Sequence, residues 1–184
     1  MKRMIFSVVA ATALAGAVAA FTPTSQPVAA AAAASDDAAR AIEQGKLPGD
    51  YRDWRLISVA REEGELDDIR AVLGNDAAIK AYREKTRPFP AGTIIARLAW
   101  SCDGNEENNK TFGTHQSFTA GHPKNGVQFM VKDATKYAST GGWKYAQFDD
   151  GKPMIDAAKL QSCFDCHQAL KDRERDFVFT HYAP

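Results

Sequence analysis

Cysteine and histidine are scarce in this chain, which holds three cysteines and four histidines in 184 residues. Two of the cysteines and one histidine nevertheless fall within five consecutive positions, Cys163-Phe164-Asp165-Cys166-His167. The chain also lacks an excess of either charge, since 23 lysines and arginines balance 23 aspartates and glutamates. This balance excludes the basic surface that is typical of nucleic-acid-binding proteins. The clustering of the scarce residues makes residues 163–167 the first place to look for function.

Long apolar runs are few, and the clearest one lies at the N-terminus. It follows the basic residues Lys2 and Arg3, extends over residues 4–20 and includes Ala17-Val18-Ala19, a small-residue cleavage pattern. Residues 1–20 are therefore predicted to be a signal peptide that directs export to the periplasm. An uncleaved membrane anchor is the alternative, but the run is short for a bilayer span of about 20 apolar residues. We expect no stable membrane insertion.

The rest of the chain divides into a short tether and one domain. Residues 21–34 are rich in alanine, proline and threonine and show no amphipathic period, which is typical of a flexible tether. Residues 35–184 have the length of one domain with a single core. No internal repeat is visible in the sequence.

The Cys-x-x-Cys-His spacing is the attachment signature of c-type haem. The thiols of Cys163 and Cys166 form thioethers with the porphyrin, and the adjacent His167 becomes an axial ligand of the iron. The two intervening residues form one turn, which places both sulfurs on one edge of the porphyrin. A single motif predicts one haem c per chain, with His167 as the metal ligand.

Two other kinds of site use a Cys-x-x-Cys pair. A zinc site would need two further ligands, and the remaining ones are scattered along the chain: Cys102, His115, His122 and His181. A thioredoxin-like redox pair would open a helix early in the chain, whereas this pair lies near the C-terminus. Haem attachment accounts for the histidine as well and is the favoured interpretation. Cys102 is left over, either as an inert thiol or as the site of a disulfide between two chains.

The hydrophobic pattern predicts more strands than helices. Strands are expected at 51–60, 69–73, 93–100, 126–132, 143–148 and 176–182, helices at 35–44, 76–85 and 154–160, and a polar loop at 103–113. The strongest pattern, at 93–100, alternates between two faces, one of which carries Ile94 and the other Ile95 and Arg97. Short connections without crossover helices favour antiparallel pairing. The predicted fold class is α+β, an antiparallel β-sheet with a few packed helices.

Several short motifs occur in a fixed order around the haem signature. They are Tyr51-Arg52-Asp53-Trp54, Ile69-Arg70, the nine residues 89–97, Gly141-Gly142-Trp143 and Asp176-Phe177-Val178-Phe179-Thr180. In this order the chain resembles the cytochrome P-460 and cytochrome c′-beta family over essentially all of its mature length. The resemblance implies a periplasmic, sheet-dominated, often dimeric protein with one haem. Its iron would have histidine on one side and an open or weakly occupied site on the other.

The resemblance also separates two kinds of chemistry. In the hydroxylamine-oxidising branch, a lysine of the Gly-Thr-x-x-x-Lys strand is covalently bonded to the porphyrin. Arg97 stands at that position here, and a guanidinium, which stays protonated, is a poor nucleophile. The sister branch lacks this bond and binds nitric oxide or carbon monoxide on a face crowded by phenylalanine.

The resemblance implies roles beside the haem for three residues. Each of these residues also has a purely structural alternative. Phe89 forms the apolar distal wall, or is an ordinary core aromatic residue. Arg70 pairs with a haem propionate or a polar ligand, or is a solvated strand arginine. Arg97 faces the haem, or forms a structural salt bridge. Catalytic residues stay unassigned, because the distal carboxylate of the oxidising branch has no clear counterpart, although Asp156 is nearby in sequence.

Three functions stay open after these assignments. The favoured one is a haem protein that binds nitric oxide or a related small nitrogen species. The second is a hydroxylamine or nitric oxide oxidoreductase. The third is an electron-transfer cytochrome, in which a side chain closes the sixth iron position; the side chains considered are Met130, Met154, His115, His122 and His181. The expected partners are a diatomic or nitrogen-oxide ligand, a redox partner cytochrome and a second copy of the chain in a homodimer.

Overall fold

The computed structural model describes residues 28–172 and 174–183. Over these residues the chain forms one six-stranded antiparallel sheet in the order β1-β2-β3-β4-β5-β6. The strands are β1 (Arg55–Glu62), β2 (Asp68–Gly74), β3 (Ile94–Gly104), β4 (Phe118–Lys132), β5 (Trp143–Asp149) and β6 (Lys152–Pro153). The helices are α1 (Val28–Glu43), α2 (Asp76–Arg83), α3 (Glu106–Phe112) and α4 (Ala157–His167), with short 3₁₀ helices at Tyr51–Asp53, Ala138–Thr140 and Gln168–Leu170. The predicted α+β class is confirmed.

Alternation along the central strands directs apolar side chains to both faces of the sheet. One face packs on α1 through a cluster that includes Ile42, Ile94 and Phe129, and we call it the α1 face. The other face packs on α2 and α4 through a cluster that includes Ile79 and Ile95, and we call it the α4 face. The predicted division of the β3 residues is confirmed, because Ile94 and Ile95 belong to different clusters. The haem motif lies on the α4 face.

The N-terminal helix is longer than its sequence pattern predicts. Helix α1 begins at Val28, so residues 28–34 are helical, whereas their composition predicts a tether. The predicted signal peptide, residues 1–20, and residues 21–27 of the predicted tether lie outside the described residues. Within the described part of the chain, no helix has the length and apolar character needed to cross a membrane.

The segment 103–113 contains regular structure, so the prediction of a polar loop was wrong. Strand β3 continues to Gly104, and α3 follows Asn105, whose side chain accepts a hydrogen bond from the Asn108 N–H at 3.0 Å. Gly113 ends the helix with a left-handed φ of 70°. Asparagine and aspartate favour loops and helix caps by the same local hydrogen bonds. A polar composition therefore does not distinguish a loop from a short, capped helix.

The segment 176–182 is not a strand, which corrects the prediction made from its alternating aromatic residues. Asp176 and Phe177 have φ values of 46° and 67°. This left-handed conformation cannot continue a strand. The segment instead packs on the α4 face, where Val178 and Tyr182 contact the core cluster.

The side chain of Asn75 forms hydrogen bonds with both the start of α2 and the start of β3. Its side-chain oxygen accepts hydrogen bonds from the N–H groups of Ala78 at 3.0 Å and Ile94 at 3.1 Å. Its amide nitrogen donates to the Gly92 carbonyl at 2.7 Å. Asn75 is buried, and it is the N-cap residue of α2.

Asn75→Ala is expected to lower the free energy of unfolding by about 2 kcal/mol, because it removes a cap and leaves buried N–H groups without an acceptor. Urea denaturation followed by circular dichroism measures this loss. Asn105→Ala is the matched control, since Asn105 caps α3 near the surface and its loss should cost about 0.5–1 kcal/mol. Equal losses in the two variants would contradict the role given to Asn75.

Candidate haem-binding site

A cavity of about 390 Å³ lies on the α4 face of the sheet, bounded also by α4 and the C-terminal segment. The sheet contributes Arg70, Val72, Ile95, Arg97, Met130 and Tyr145. Helix α4 and the C-terminal segment contribute Cys163, Cys166, His167, Val178, Phe179 and Thr180. The volume is within the range of roughly 300–1,000 Å³ that is typical of small-molecule sites. The cavity brings together five of the six predicted site residues, all except Phe89.

Helix α4 presents the haem motif to this cavity. It begins after Asp156, whose carboxylate accepts hydrogen bonds from two N–H groups of the first turn at 3.0 and 3.2 Å. Asp156 is therefore a helix cap, and it is not among the described residues that line the cavity. Residues three and four positions apart share one face of a helix. Cys163, Cys166 and His167 have this spacing, and both thiols are free.

The imidazole of His167 is oriented by the backbone of the C-terminal segment. Its Nδ1 lies 2.6 Å from the carbonyl oxygen of Phe177. Because a carbonyl only accepts, Nδ1 carries the proton and Nε2 keeps its lone pair. The ring also packs against the rings of Tyr145 and Phe179, with centroids 5.1 and 4.9 Å away. These contacts leave Nε2 as the ring nitrogen that is available to a metal.

The surroundings of the motif also affect its protonation equilibria. Burial lowers the pKa of His167 below its ordinary value, and the hydrogen bond to the Phe177 carbonyl opposes this shift. The neutral form, which is the form that binds metals, is thereby favoured. Burial raises the pKa of the Cys163 thiol.

A buried carboxylate stands between the two arginines of the sheet wall. Asp68 is fully buried, accepts a hydrogen bond from Arg70 Nε at 2.7 Å and forms a second ion pair with Arg97 Nη2. Arg97 also donates to Gln128 Oε1 at 2.7 Å. Burial lowers the pKa of Arg97, and the nearby charge of Arg70 adds to this effect. Arg97 thus lines the cavity and forms a salt bridge with Asp68, and its position facing the haem stays a prediction.

Two buried polar groups in the cavity wall have no hydrogen-bond partner among the described residues. They are Arg70 Nη2 and Tyr145 Oη. Burial raises the pKa of Tyr145, so its hydroxyl keeps its proton and can donate. Buried polar groups are nearly always paired in folded proteins. Carboxylate oxygens, such as those of the haem propionates, are suitable acceptors for donors of this kind.

Phe89 lies in the core beside the cavity and is not among the described residues that line it. Its side chain is buried, with ring centroids of Tyr82 and Trp143 at 5.1 and 5.6 Å. The guanidinium of Arg87 lies 3.6 Å from its ring centroid. This is the position of a core aromatic residue, and a role of Phe89 in a distal wall stays a prediction. The apolar part of the sheet wall comes from other side chains, including Val72.

Among the described residues, Met130 is the only one of the five proposed sixth ligands that lines the cavity. It is buried and is paired across the sheet with Ile95 on one side and Tyr145 on the other. In the described part of the chain, no group of three or more histidine, cysteine, aspartate and glutamate residues is arranged to hold a metal ion. Among the described residues, the sheet wall therefore contributes one thioether, of Met130, and no imidazole.

Comparison with known proteins gives one match at the level of families. The family model of Cytochrome P460 matches residues 48–180, which is more than half of the chain. This range includes all the described residues that line the cavity. No curated protein matches the sequence significantly.

Proposed function

Because the chain belongs to the cytochrome P460 family, we propose that it is an exported c-type haem protein that binds nitric oxide or a related small nitrogen species. The family is one of c-type haem proteins that act on nitrogen species. In this proposal the cavity holds one haem, Cys163 and Cys166 attach it, and His167 is its axial ligand. The haem, when bound, supplies an iron that coordinates small ligands and exchanges one electron.

The observation that carries the proposal is the orientation of His167. Its Nδ1 donates to the Phe177 carbonyl, so the imidazole is held in the tautomer that leaves Nε2 free for iron. The side chains of Cys163 and Cys166 line the same cavity. Attachment and axial ligation are therefore both available from one helix.

The lining of the sheet wall supports binding of a small neutral ligand in this cavity. Val72 and Ile95 are apolar and buried, which favours a neutral diatomic ligand over water or anions. The unpaired Nη2 of Arg70 is a donor for an acceptor oxygen, either of a haem propionate or of a bound nitrogen oxide. The proposed roles of these residues are to exclude water and to donate one hydrogen bond.

The surroundings of Arg97 support ligand binding rather than hydroxylamine oxidation. Asp68 and Gln128 both hold its guanidinium. The resemblance to the family implies that Arg97 takes the position of the cross-linking lysine of the oxidising branch. A paired, protonated guanidinium does not attack a porphyrin carbon. We therefore propose that the two thioethers are the covalent bonds to the haem and that no third bond forms.

Optical spectroscopy of the purified protein, oxidised and reduced, with and without carbon monoxide, tests the proposal. We expect a high-spin ferrous spectrum that shifts when the gas is added, because the sixth position of the iron is open in this proposal. A low-spin spectrum that does not change when carbon monoxide is added would contradict an open coordination position and indicate an electron-transfer cytochrome. A reduced band far to the red of an ordinary c-type haem would indicate an altered macrocycle and favour the oxidoreductase.

Met130→Leu is the matched control for the sixth position, since it keeps the volume of the side chain and removes the sulfur. We expect its spectra to equal those of the unchanged protein. A change from low-spin to high-spin in this variant would identify Met130 as a ligand instead.

The proposal includes a cellular setting that follows from the sequence. The basic and apolar N-terminal residues 1–20 support export to the periplasm, where thioether attachment to this motif takes place. The homodimer and the redox partner cytochrome come from the resemblance to the family. Size-exclusion chromatography with light scattering would measure the oligomeric state.

A further inference from the structure

A buried ion pair joins β4 to the start of the C-terminal segment, and neither of its members is among the described residues that line the cavity. Lys132 Nζ is 2.8 Å from Asp176 Oδ1, and the two side chains are 4% and 7% exposed. The ammonium also donates to the Gly141 carbonyl at 3.1 Å and lies 4.8 Å from the ring centroid of Trp143. Isolated buried ion pairs often add little to stability, because desolvation offsets the attraction between the charges. A contribution to stability is therefore a weak explanation for this ion pair.

Asp176 is held from three directions at the start of the C-terminal segment. Oδ1 accepts from Lys132, Oδ2 accepts from the Phe89 N–H at 2.7 Å, and the main-chain carbonyl accepts from Trp143 Nε1 at 2.9 Å. Asp176 and Phe177 both have positive φ values, 46° and 67°. Non-glycine residues in this conformation persist where the surroundings fix them. The ion pair is thus part of what fixes two strained residues.

Phe177 connects this arrangement to the proposed iron ligand. Its carbonyl accepts the hydrogen bond from His167 Nδ1 at 2.6 Å. Its ring packs over Gly141, where an added Cβ would lie 2.2 Å from Phe177 Cζ. Lys132 therefore contacts both supports of Phe177, the carboxylate of the preceding residue and the carbonyl of the glycine beneath the ring.

We propose that Lys132 and Asp176 are positioning residues for the axial imidazole, acting through the carbonyl of Phe177. The inference rests on the proposed ligation of haem iron by His167. The hydrogen bond from Nδ1 fixes the orientation of the ring and increases its basicity, so it strengthens the bond from Nε2 to a metal. By fixing the carbonyl, the ion pair sets how strongly His167 donates to the iron. Neither residue touches the haem or its ligand in this scheme.

Asp176→Asn tests the inference because it keeps the shape of the side chain and an oxygen for the Phe89 N–H, while it removes the charge that pairs with Lys132. In the ferrous protein, resonance Raman spectroscopy measures the iron–histidine stretching band. We expect the band to move to lower wavenumber and the reduction potential to rise, because a weaker donor stabilises ferric iron less. The fraction of the nitric oxide complex that keeps His167 bound should fall, with a change in the ligation equilibrium of about tenfold.

Gly141→Ala is a second variant, which displaces the ring of Phe177 without changing any charge. It should shift the iron–histidine band in the same direction. Ile42→Ala is the control for general destabilisation, since Ile42 is buried in the cluster on the α1 face. Its iron–histidine band should equal that of the unchanged protein, although its urea midpoint falls.

The outcomes separate this inference from the proposed function. If the unchanged protein carries no haem or shows no iron–histidine band, the proposed function itself fails. If that band is present and stays unchanged in both the Asp176 and the Gly141 variants, the ion pair is purely structural and the inference is overturned. A shift in both variants, together with an unchanged band in Ile42→Ala, would support it.

Discussion

His167→Ala is expected to abolish the native absorption spectrum in both oxidation states. The reason is geometric, because the cavity offers no other imidazole among the described residues and His167 is the side chain that the Phe177 carbonyl holds in place. Optical spectra of the oxidised and reduced variant measure the effect. Added imidazole should restore the native bands, since it supplies the missing donor to the vacated position.

His181→Ala is the matched control for this experiment. His181 is exposed and does not belong to the described residues that line the cavity, so its spectrum should not change. A native spectrum in the His167 variant would contradict the assignment of the axial ligand. A loss of the native spectrum in both variants would mean that the effect is not specific to His167.

Asp68→Ala is expected to lower the free energy of unfolding by about 3 kcal/mol. Removing one member of a buried ion pair typically costs about 3–5 kcal/mol, because the remaining charge stays buried without a partner. Here two guanidiniums, of Arg70 and Arg97, lose their shared carboxylate. We expect a cost at the lower end of this range, because the side chains of Arg70 and Arg97 are 14% and 18% exposed to solvent. Urea denaturation followed by circular dichroism gives the value.

Glu62→Ala provides the control for the loss of a carboxylate near the same arginines. Glu62 is 46% exposed and its Oε1 lies 3.5 Å from Arg70 Nη1, so its removal should cost less than about 1 kcal/mol. Arg97→Leu, added to Asp68→Ala, should recover part of the stability, because it removes one of the unpaired charges. A cost for Asp68→Ala that matched the cost for Glu62→Ala would contradict the central place of Asp68.

The parts of the fold that the sequence predicts are those that depend on local pattern. Alternation along β3 places Ile94 and Ile95 in separate clusters, as expected from the period of two. Cys163, Cys166 and His167 share one face of one helix. Their spacing in the sequence is therefore enough to predict that they line the same cavity. Such features follow from short stretches of chain.

The parts that escape prediction depend on contacts between distant stretches. In the sequence, Asp68 is an ordinary carboxylate at the end of a strand. Only the pairing of β2 with β3 brings it to Arg97, 29 residues away, so that it bridges Arg70 and Arg97. The segment 176–182 has the alternation of a strand, but Asp176 is bound by Lys132 from 44 residues away and adopts a conformation that ends any strand. The motif that contains Phe89 cannot show whether its ring faces the cavity or the core.

The order of the strands has a consequence for how the chain folds. Each strand of the described sheet is hydrogen-bonded to the strand that precedes it in sequence, so the sheet needs no pairing between strands that are far apart in strand order. Helix α4 and the carbonyl of Phe177 both follow the last strand in the chain. The sheet can therefore form while Cys163 and Cys166, which follow it in the chain, stay accessible for the proposed thioether formation. Docking of α4 onto a finished sheet would then be the last step of maturation.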